Sequence, residues 1–198
     1  RISKQYQRSL LSAGTVAYQG TEGAYASIAL RKLFPHQKER SYETWNEVFT
    51  AVEDGDAACG VVPFENSYTG EVGEVLDLLY RHDIYIREIY DLPIRHYLLG
   101  VPGASVTDIK QVYSHPQALS QCRAFLEPYR FEQVPYLNTA LAAEYVARTG
   151  DKTKAAIASE ETAELYGLQI LKKNINTSNE NTTRFIVVSR EPGLTGNR

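Results

Sequence analysis

The chain has 198 residues, of which 43% are hydrophobic, and such a chain can bury a substantial core in one domain or two small subdomains. The net charge is −3 and the Lys and Arg residues are scattered, so the sequence lacks the basic stripe that nucleic-acid binding requires. Its apolar runs are too short to span a membrane and no signal peptide precedes them, which predicts a soluble, cytoplasmic protein without a membrane partner.

The two cysteines and four histidines are dispersed along the chain. Cys59 and Cys122 lack the spacing of a disulfide framework or a zinc site, so we expect both to be reduced thiols. No histidine pairs with Cys, Asp or Glu at a recurring ligand spacing, so the sequence predicts no metal site.

Short β-rich runs alternate with segments of helical period, which predicts an α/β fold. In chain order, the predicted strands cover residues 15–18, 59–64, 84–90, 96–101, 111–114, 131–136, 155–159 and 184–189. The predicted helices cover residues 23–34, 45–54, 72–80, 116–126, 139–148 and 160–166. The turn-rich segment 101–105 is predicted to separate two halves, each with its own small sheet.

Polar residues follow several of the predicted strands, at the position where open α/β sheets bind their ligands. These clusters are Gly20 to Gly23, Glu65 to Ser67, Ser114 to Gln117, Asn138 with Thr139, and Ser159 to Glu161. We expect several of them to line one crevice.

The glycine cluster leads into a predicted helix, whose first N–H groups favour an anion such as a carboxylate or phosphate. Its glycine spacing matches neither a P-loop nor the dinucleotide fingerprint, which argues against ATP and NAD. The alternative is a plain tight turn.

Glu65, Asn66 and Ser67 offer a carboxylate, an amide and a hydroxyl that suit a substrate hydroxyl group. The alternative is helix capping, with Ser67 or Thr69 as the N-cap residue.

Pro116 suits the first turn of a helix, so Ser114, His115 and Gln117 stand at a second helix start, with Gln121 about one turn further on. His115 and Cys122 lie seven residues apart with no group to orient a base, which disfavours a covalent cysteine mechanism.

A further polar stretch, Asn181 to Arg184, precedes a β run. Its Arg184 can bind a carboxylate in bidentate fashion, and the Thr183 hydroxyl can donate to a leaving oxygen. By composition alone the stretch is also typical of an ordinary strand start.

Taken together, these segments resemble the motifs of the prephenate dehydratase family, in the family's order. The matching segments are Gly20-Thr21-Glu22-Gly23-Ala24-Tyr25, Val62 to Ser67 with Gly70, Ser114 to Gln117 with Gln121-Cys122, and Thr183-Arg184-Phe185. The resemblance implies a decarboxylating dehydration of prephenate to phenylpyruvate in phenylalanine biosynthesis, without a cofactor. The alternative hypotheses are an arogenate dehydratase and a non-catalytic two-lobed module that binds small anions.

The resemblance also implies a fold of two small α/β subdomains with a cleft, like a type II periplasmic binding protein. Residues 15–190 would form this domain, with subdomain one at 15–95 plus 184–190 and subdomain two at 96–183. Carried over by position, the catalytic residues are Thr183, Glu65, Asn66 and Gln121. The substrate-binding residues are Gly23, Ala24, Tyr25, Ser67, Ser114, His115, Gln117, Thr139 and Arg184.

The chain also differs from its relatives in places. Many of them carry a hydroxyl residue where Ala24 stands, so backbone donors would have to serve at that helix start. Residues 1–14 are expected to be a linker or the remnant of an upstream helix, similar to a chorismate mutase helix, and residues 191–198 a tail. The regulatory ACT domain usual in the family is not expected after Arg198. We expect a homodimer, because members of the family tend to be dimers or tetramers.

Overall fold

A computed structural model of the chain describes residues 14–192. The chain divides into two compact units. Unit 1 holds the described residues up to Pro93 and those from Thr182 onward, and unit 2 runs from Ile94 to Asn181. Each unit contains a sheet with helices, which confirms the predicted α/β class. Within residues 14–192, no helix is both long enough and apolar enough to cross a membrane.

The chain starts in unit 1, crosses into unit 2 and returns with its last strand. The elements of the first pass are β1 (Val16–Gln19), α1 (Tyr25–Leu33), β2 (Glu39–Tyr42), α2 (Trp45–Asp54), β3 (Cys59–Asn66), β4 (Gly70–Glu71), α3 (Gly73–Arg81) and β5 (Tyr85–Pro93). Unit 2 contains β6 (Tyr97–Gly100), a 3₁₀ turn (Val106–Asp108), β7 (Gln111–Ser114), α4 (Pro116–Gln121), α5 (Arg123–Leu126), β8 (Glu132–Pro135), α6 (Thr139–Thr149), β9 (Lys154–Ala158), α7 (Glu160–Tyr166) and β10 (Gln169–Lys172). The return strand is β11 (Thr182–Ser189).

The sheet of unit 1 has the strand order β2-β1-β3-β11-β5, with β4 paired to β3. Strand β1 is parallel to its neighbours, whereas β11 runs antiparallel to both β3 and β5. Helices α2 and α3 cover one face in a cluster whose fully buried members include Val48, Val52, Val62, Val75 and Val188. The return strand therefore lies in the interior of this sheet, and its first residues sit beside the end of β3.

The sheet of unit 2 has the strand order β10-β6-β9-β7-β8. Strand β7 is parallel to β8 and β9, so the residues that follow these three strands emerge at one edge. Two buried clusters cover the sheet. One includes Ala142, Ala143 and Val146 of α6, and the other includes Leu98, Ile157 and Leu126.

Helix α2 shows how closely local signals fix an element. Its predicted bounds, 45–54, match the observed helix. The Thr44 hydroxyl accepts a hydrogen bond from the Glu47 N–H, and Gly55 ends the helix with φ of 86°. A side-chain cap at the first turn and a left-handed glycine at the end are the strongest sequence signals of helix termini.

Several elements differ from the prediction. Strands β2, β4 and β10 were not predicted, because β2 is polar, β4 has two residues and β10 lies at a sheet edge. The helix predicted over 116–126 breaks at Cys122, whose φ of −109° and ψ of 16° leave the helical region. The turn at 101–105 lies inside unit 2 and separates no halves.

The strand pairing also moves one expected boundary. Thr183 was expected in the second subdomain, but it pairs with Asn66 on β3 and with Leu92 on β5. It therefore belongs to unit 1, whose last crossing lies between Asn181 and Thr182. The predicted strand at 184–189 starts two residues too late, because the polar pair Thr182 and Thr183 carries no apolar signal.

Candidate functional site

In unit 1 the structure brings together the side chains of Asn66 and Thr183. The two residues are direct cross-strand partners at the end of β3 and the start of β11. The Asn66 amide Nδ2 donates a hydrogen bond of 2.8 Å to the Thr183 Oγ1. The Asn66 Oδ1 accepts the backbone N–H groups of Tyr68 at 2.9 Å and Thr69 at 3.3 Å. These two acceptor contacts fix which end of the amide faces Thr183.

The turn after β3 holds this pair in place. Gly70 adopts φ of 77°, a left-handed conformation that favours glycine, and lets the chain fold back so that β4 pairs with β3. Ser67 extends the ladder, because its N–H donates to the Thr182 carbonyl and its Oγ accepts the Thr182 N–H, both at 3.0 Å. The predicted capping role of Ser67 or Thr69 is wrong, since α3 begins after Val72 without a side-chain cap.

Thr183 and Arg184 are consecutive strand residues, so their side chains lie on opposite faces of the sheet. Arg184 shares its face with Ile186 and Val188, which pack in the cluster of α2 and α3. The Arg184 side chain is thus on the face that these two helices cover, and Thr183 is on the other.

Arg184 already has a partner on its own face. Its Nε lies 2.9 Å from the Asp91 Oδ1, and both side chains are about half exposed. The hydrogen bond to Asp91 raises the pKa of the Arg184 guanidinium above its ordinary value. Glu65 is the cross-strand partner of Arg184 on β3, so it lies on this face too. The structure therefore groups Asn66 with Thr183, and Glu65 with Arg184, on different faces.

The glycine cluster precedes α1 as expected. Gly20 and Gly23 have φ of 112° and 90°, and both allow a turn that an L side chain rarely adopts. Ala24 is the N-cap residue and provides no side-chain cap, so backbone groups alone serve the start of α1 at Tyr25. The Gly23 N–H lies 3.4 Å from the buried Ser27 Oγ. The structure thus combines a helix start with a glycine turn, which is compatible with an anion site.

In unit 2, Gln121 stands at the end of α4 in a buried polar cluster. Its Oε1 lies 2.7 Å from the His96 Nε2 and 2.9 Å from the Asn181 Nδ2. Both partners are 1% exposed. Burial lowers the pKa of His96, while its hydrogen bond to Gln121 acts in the opposite direction. The sequence singled out Gln121 but missed His96 as a partner, because nothing in the sequence places residues 25 positions apart side by side.

The other expected residues of unit 2 lie at the ends of its parallel strands. Ser114 ends β7 and is fully buried, and its Oγ donates to the Ile157 carbonyl at 2.7 Å. The His115 Nδ1 accepts the Gln117 N–H at 3.1 Å and so caps α4. Thr139 is the first residue of α6 and is 8% exposed. Each of these residues thus has a local structural role in unit 2.

Cys122 lies in the buried cluster beneath α4 with 0% exposure. Desolvation raises the pKa of its thiol to about 12, so at neutral pH the thiol is protonated. Because a thiolate is the nucleophile in cysteine catalysis, the protonated, buried thiol disfavours a covalent mechanism at Cys122.

The prephenate dehydratase family model matches residues 16–193. The chain belongs to the prephenate dehydratase family. It is 41% identical over 177 residues to arogenate dehydratase/prephenate dehydratase 1 of Arabidopsis thaliana, covering 89% of this chain and 45% of the relative. It is 36% identical to the bifunctional N-acyl-homoserine lactone acylase/prephenate dehydratase of Komagataeibacter europaeus, covering 89% of this chain and 63% of that relative.

The fold agrees with this membership. The prephenate dehydratase of Arthrobacter aurescens, solved in complex with L-Phe, aligns with a TM-score of 0.84 at 28% identity, over 93% of this chain and 63% of that one. The chain thus spans about half to two thirds of the length of the relatives that it matches.

Proposed function

We propose that this chain catalyses the decarboxylating dehydration of prephenate to phenylpyruvate, carbon dioxide and water. The observation that supports this most is the contact between Asn66 and Thr183. An amide N–H donates to the Thr183 Oγ1, so that oxygen is an acceptor and its own hydrogen is left to donate to another group.

The chemistry requires such a donor. Loss of the ring carboxylate as carbon dioxide breaks a C–C bond, and its electron pair moves into the ring as the C–O bond opposite breaks and hydroxide leaves. Aromaticity of the product drives the step, and a proton converts the hydroxide to water. A hydrogen bond from Thr183 would stabilise the negative charge that develops on the departing oxygen. The Asn66 N–H strengthens this donor, because it withdraws charge from the hydroxyl oxygen.

The substrate also carries two carboxylates that the protein must hold. In our proposal the N–H groups at the start of α1 bind one of them, since the glycine turn brings backbone close and the helix dipole favours an anion. An equivalent role for Arg184 requires that it leave Asp91, with which it forms an ion pair. In our proposal the Gln121 amide forms a further hydrogen bond with the reacting hydroxyl. Glu65 lies on the other face of the sheet and contributes only its negative charge.

Arogenate is the rival substrate, and it differs from prephenate by an amino group in place of the side-chain keto group. The Arabidopsis relative carries both activities in its name. The decisive experiment offers prephenate and arogenate separately to the purified chain, and follows phenylpyruvate and phenylalanine by chromatography. We expect prephenate turnover. A preference for arogenate would replace the substrate and keep the site. A folded chain that binds these substrates without converting either would overturn the proposed activity in favour of a binding module.

We also propose a homodimer in the cytoplasm. Two observations support it. The edge strand β5 exposes Tyr85, Ile86 and Ile89 by 45%, 44% and 57%, and an exposed apolar edge strand is a surface that pairs with another chain. Both cysteines are free and buried, which suits a reducing compartment. Light scattering of the purified chain measures its oligomeric state, and cell fractionation measures its compartment.

A further inference from the structure

The amide oxygen of Gln121 is held by two donors. The His96 Nε2 lies 2.7 Å from it and the Asn181 Nδ2 lies 2.9 Å from it. An amide oxygen has two lone pairs, so both of its acceptor sites are used. In the described part of the chain, the Gln121 Nε2 donates to no protein acceptor.

We propose that His96 and Asn181 are positioning residues that lock the Gln121 side chain with its oxygen turned toward them and its NH₂ group turned toward the substrate. This inference rests on the proposed function, in which Gln121 contacts the reacting hydroxyl. Rotation of the amide by half a turn would place NH₂ against two N–H donors. With His96 protonated at Nε2, both hydrogen bonds would then be lost by donor residues that are 1% exposed, so one orientation is favoured.

The two positioning residues are themselves tied to each other through the backbone. The His96 N–H donates to the Asn176 Oδ1 at 2.7 Å, and the Asn176 Nδ2 donates to the Ile94 carbonyl at 3.0 Å. The Ile94 N–H in turn donates to the Asn181 carbonyl at 2.8 Å. Hydrogen bonds thus join the segments at which the chain enters and leaves unit 2, and they fix both donors in place. We call these two donors, His96 and Asn181, the seat of the Gln121 oxygen.

The first test is a double-mutant cycle on prephenate turnover with Asn181→Asp and Gln121→Ala. Asn181→Asp keeps the shape of the side chain and replaces the N–H donor by a carboxylate oxygen, which repels the Gln121 oxygen. We expect kcat to fall about tenfold to a hundredfold with a much smaller change in KM, as for a misplaced catalytic group. In the Gln121→Ala background the same substitution should change kcat by less than about twofold. Equal losses in both backgrounds would overturn the proposal.

The pH dependence of Asn181→Asp separates positioning from damage to the fold. A buried carboxyl group has a raised pKa, and in its protonated form it donates a hydrogen bond again. The activity of Asn181→Asp relative to the unchanged chain should therefore recover as the pH falls, and a constant ratio would contradict the proposal. Asn179→Asp, a matched change at an exposed residue of the same loop, should leave activity at all pH values within about twofold.

Gln121→Glu is the second variant, and it does not depend on Asn181. A carboxylate accepts from both donors, so the seat and the fold are kept, but the NH₂ group is gone. We expect kcat to fall about a hundredfold, while the thermal unfolding midpoint stays near that of the unchanged chain. Retained activity would show that the NH₂ group is not used and would overturn the proposal.

A readout independent of turnover keeps this inference apart from the proposed function. In NMR spectra of the chain labelled with ¹⁵N-histidine, the His96 Nε2 should carry the proton, and its signal should shift in Gln121→Ala. The signal that disappears in His96→Asn is assigned to His96. An unprotonated Nε2 would overturn the seat even in an active enzyme. An unchanged chain that turns over neither prephenate nor arogenate, but shows the expected His96 signal, would remove the proposed function and the role of the seat in catalysis together.

Discussion

The polar groups of the two units are fixed in different ways. In unit 1 the register of the sheet positions them, since Asn66 and Thr183 are cross-strand partners and a left-handed Gly70 closes the turn beside them. In unit 2 buried hydrogen bonds position them, since the Gln121 side chain is held by His96 and Asn181, both 1% exposed. A pair fixed by backbone pairing tolerates changes around it, whereas a buried cluster depends on every member.

This difference has a consequence for substitution and pH. In unit 1 we expect losses of activity with little loss of stability, because the sheet persists without the side chains. In unit 2 we expect a substitution that removes a hydrogen bond of the buried cluster to lower activity and stability together, because the same bonds serve both.

The largest expected effect concerns the interior beside Gln121. A thiol pKa of about 12 at Cys122, against an ordinary value of 9.0, lowers the thiolate fraction at neutral pH by roughly a thousandfold. Labelling of the folded chain by iodoacetamide should therefore be slower by about this factor than labelling in guanidinium. Mass spectrometry identifies the labelled cysteine. Fast labelling of Cys122 in the folded chain would contradict the burial of its thiol and would again allow a covalent cysteine mechanism.

In unit 1 the isosteric change Asn66→Asp replaces the donor to the Thr183 Oγ1 by a carboxylate oxygen, which accepts the hydroxyl hydrogen that the leaving oxygen needs. We expect kcat to fall about a hundredfold to a thousandfold, as when a donor to a developing oxyanion is lost. The turn should survive, because the remaining oxygen still accepts from Tyr68 and Thr69. Asn66→Ala removes both functions and should also cost about 1 kcal/mol in the unfolding free energy, measured in urea. If Asn66→Asp unfolds the chain as readily as Asn66→Ala, the turn does not depend on this oxygen.

The buried histidine of unit 2 predicts a pH effect. Burial lowers the pKa of His96 in the folded state, so the unfolded chain binds its proton more readily and protonation favours unfolding. The unfolding free energy should fall as the pH drops from 6.5 toward the folded pKa, by at most about 1.4 kcal/mol per pH unit for one proton. His96→Asn should flatten this slope, and urea titrations at several pH values provide the comparison. A slope that His96→Asn leaves unchanged would mean that another group titrates.

The smallest effect concerns a helix cap. The Asn138 Oδ1 accepts the Leu141 N–H at 2.7 Å at the start of α6. Asn138→Ala should lower the unfolding free energy by about 1 kcal/mol, whereas Asn138→Ser, which keeps an acceptor, should lower it much less. Equal losses for the two variants would show that the cap contributes through packing instead.

Local signals predicted the fold well where they were strong. Helix α2 matched residue for residue, because Thr44, Glu47 and Gly55 mark both ends. Polar edge strands such as β2 were missed, since pairing alone defines them. Family motifs pointed to Asn66, Thr183 and Gln121, but periodicity carries no information on which residues meet across a sheet. The separation of Arg184 from Thr183 by sheet face, and the seat of Gln121, became visible only from register and burial.

In our proposal Thr183 presents its hydroxyl hydrogen to the leaving oxygen. The most direct measurement is prephenate turnover by Thr183→Val and Thr183→Ser beside the unchanged chain, with Thr50→Val at an exposed helix residue as the matched control. Valine keeps the β-branched shape of a strand residue without the hydroxyl, so kcat should fall at least about a hundredfold. Serine restores the hydroxyl and should recover most of the rate. A folded Thr183→Val chain that retains the rate of the unchanged chain would contradict this role of the Thr183 hydroxyl.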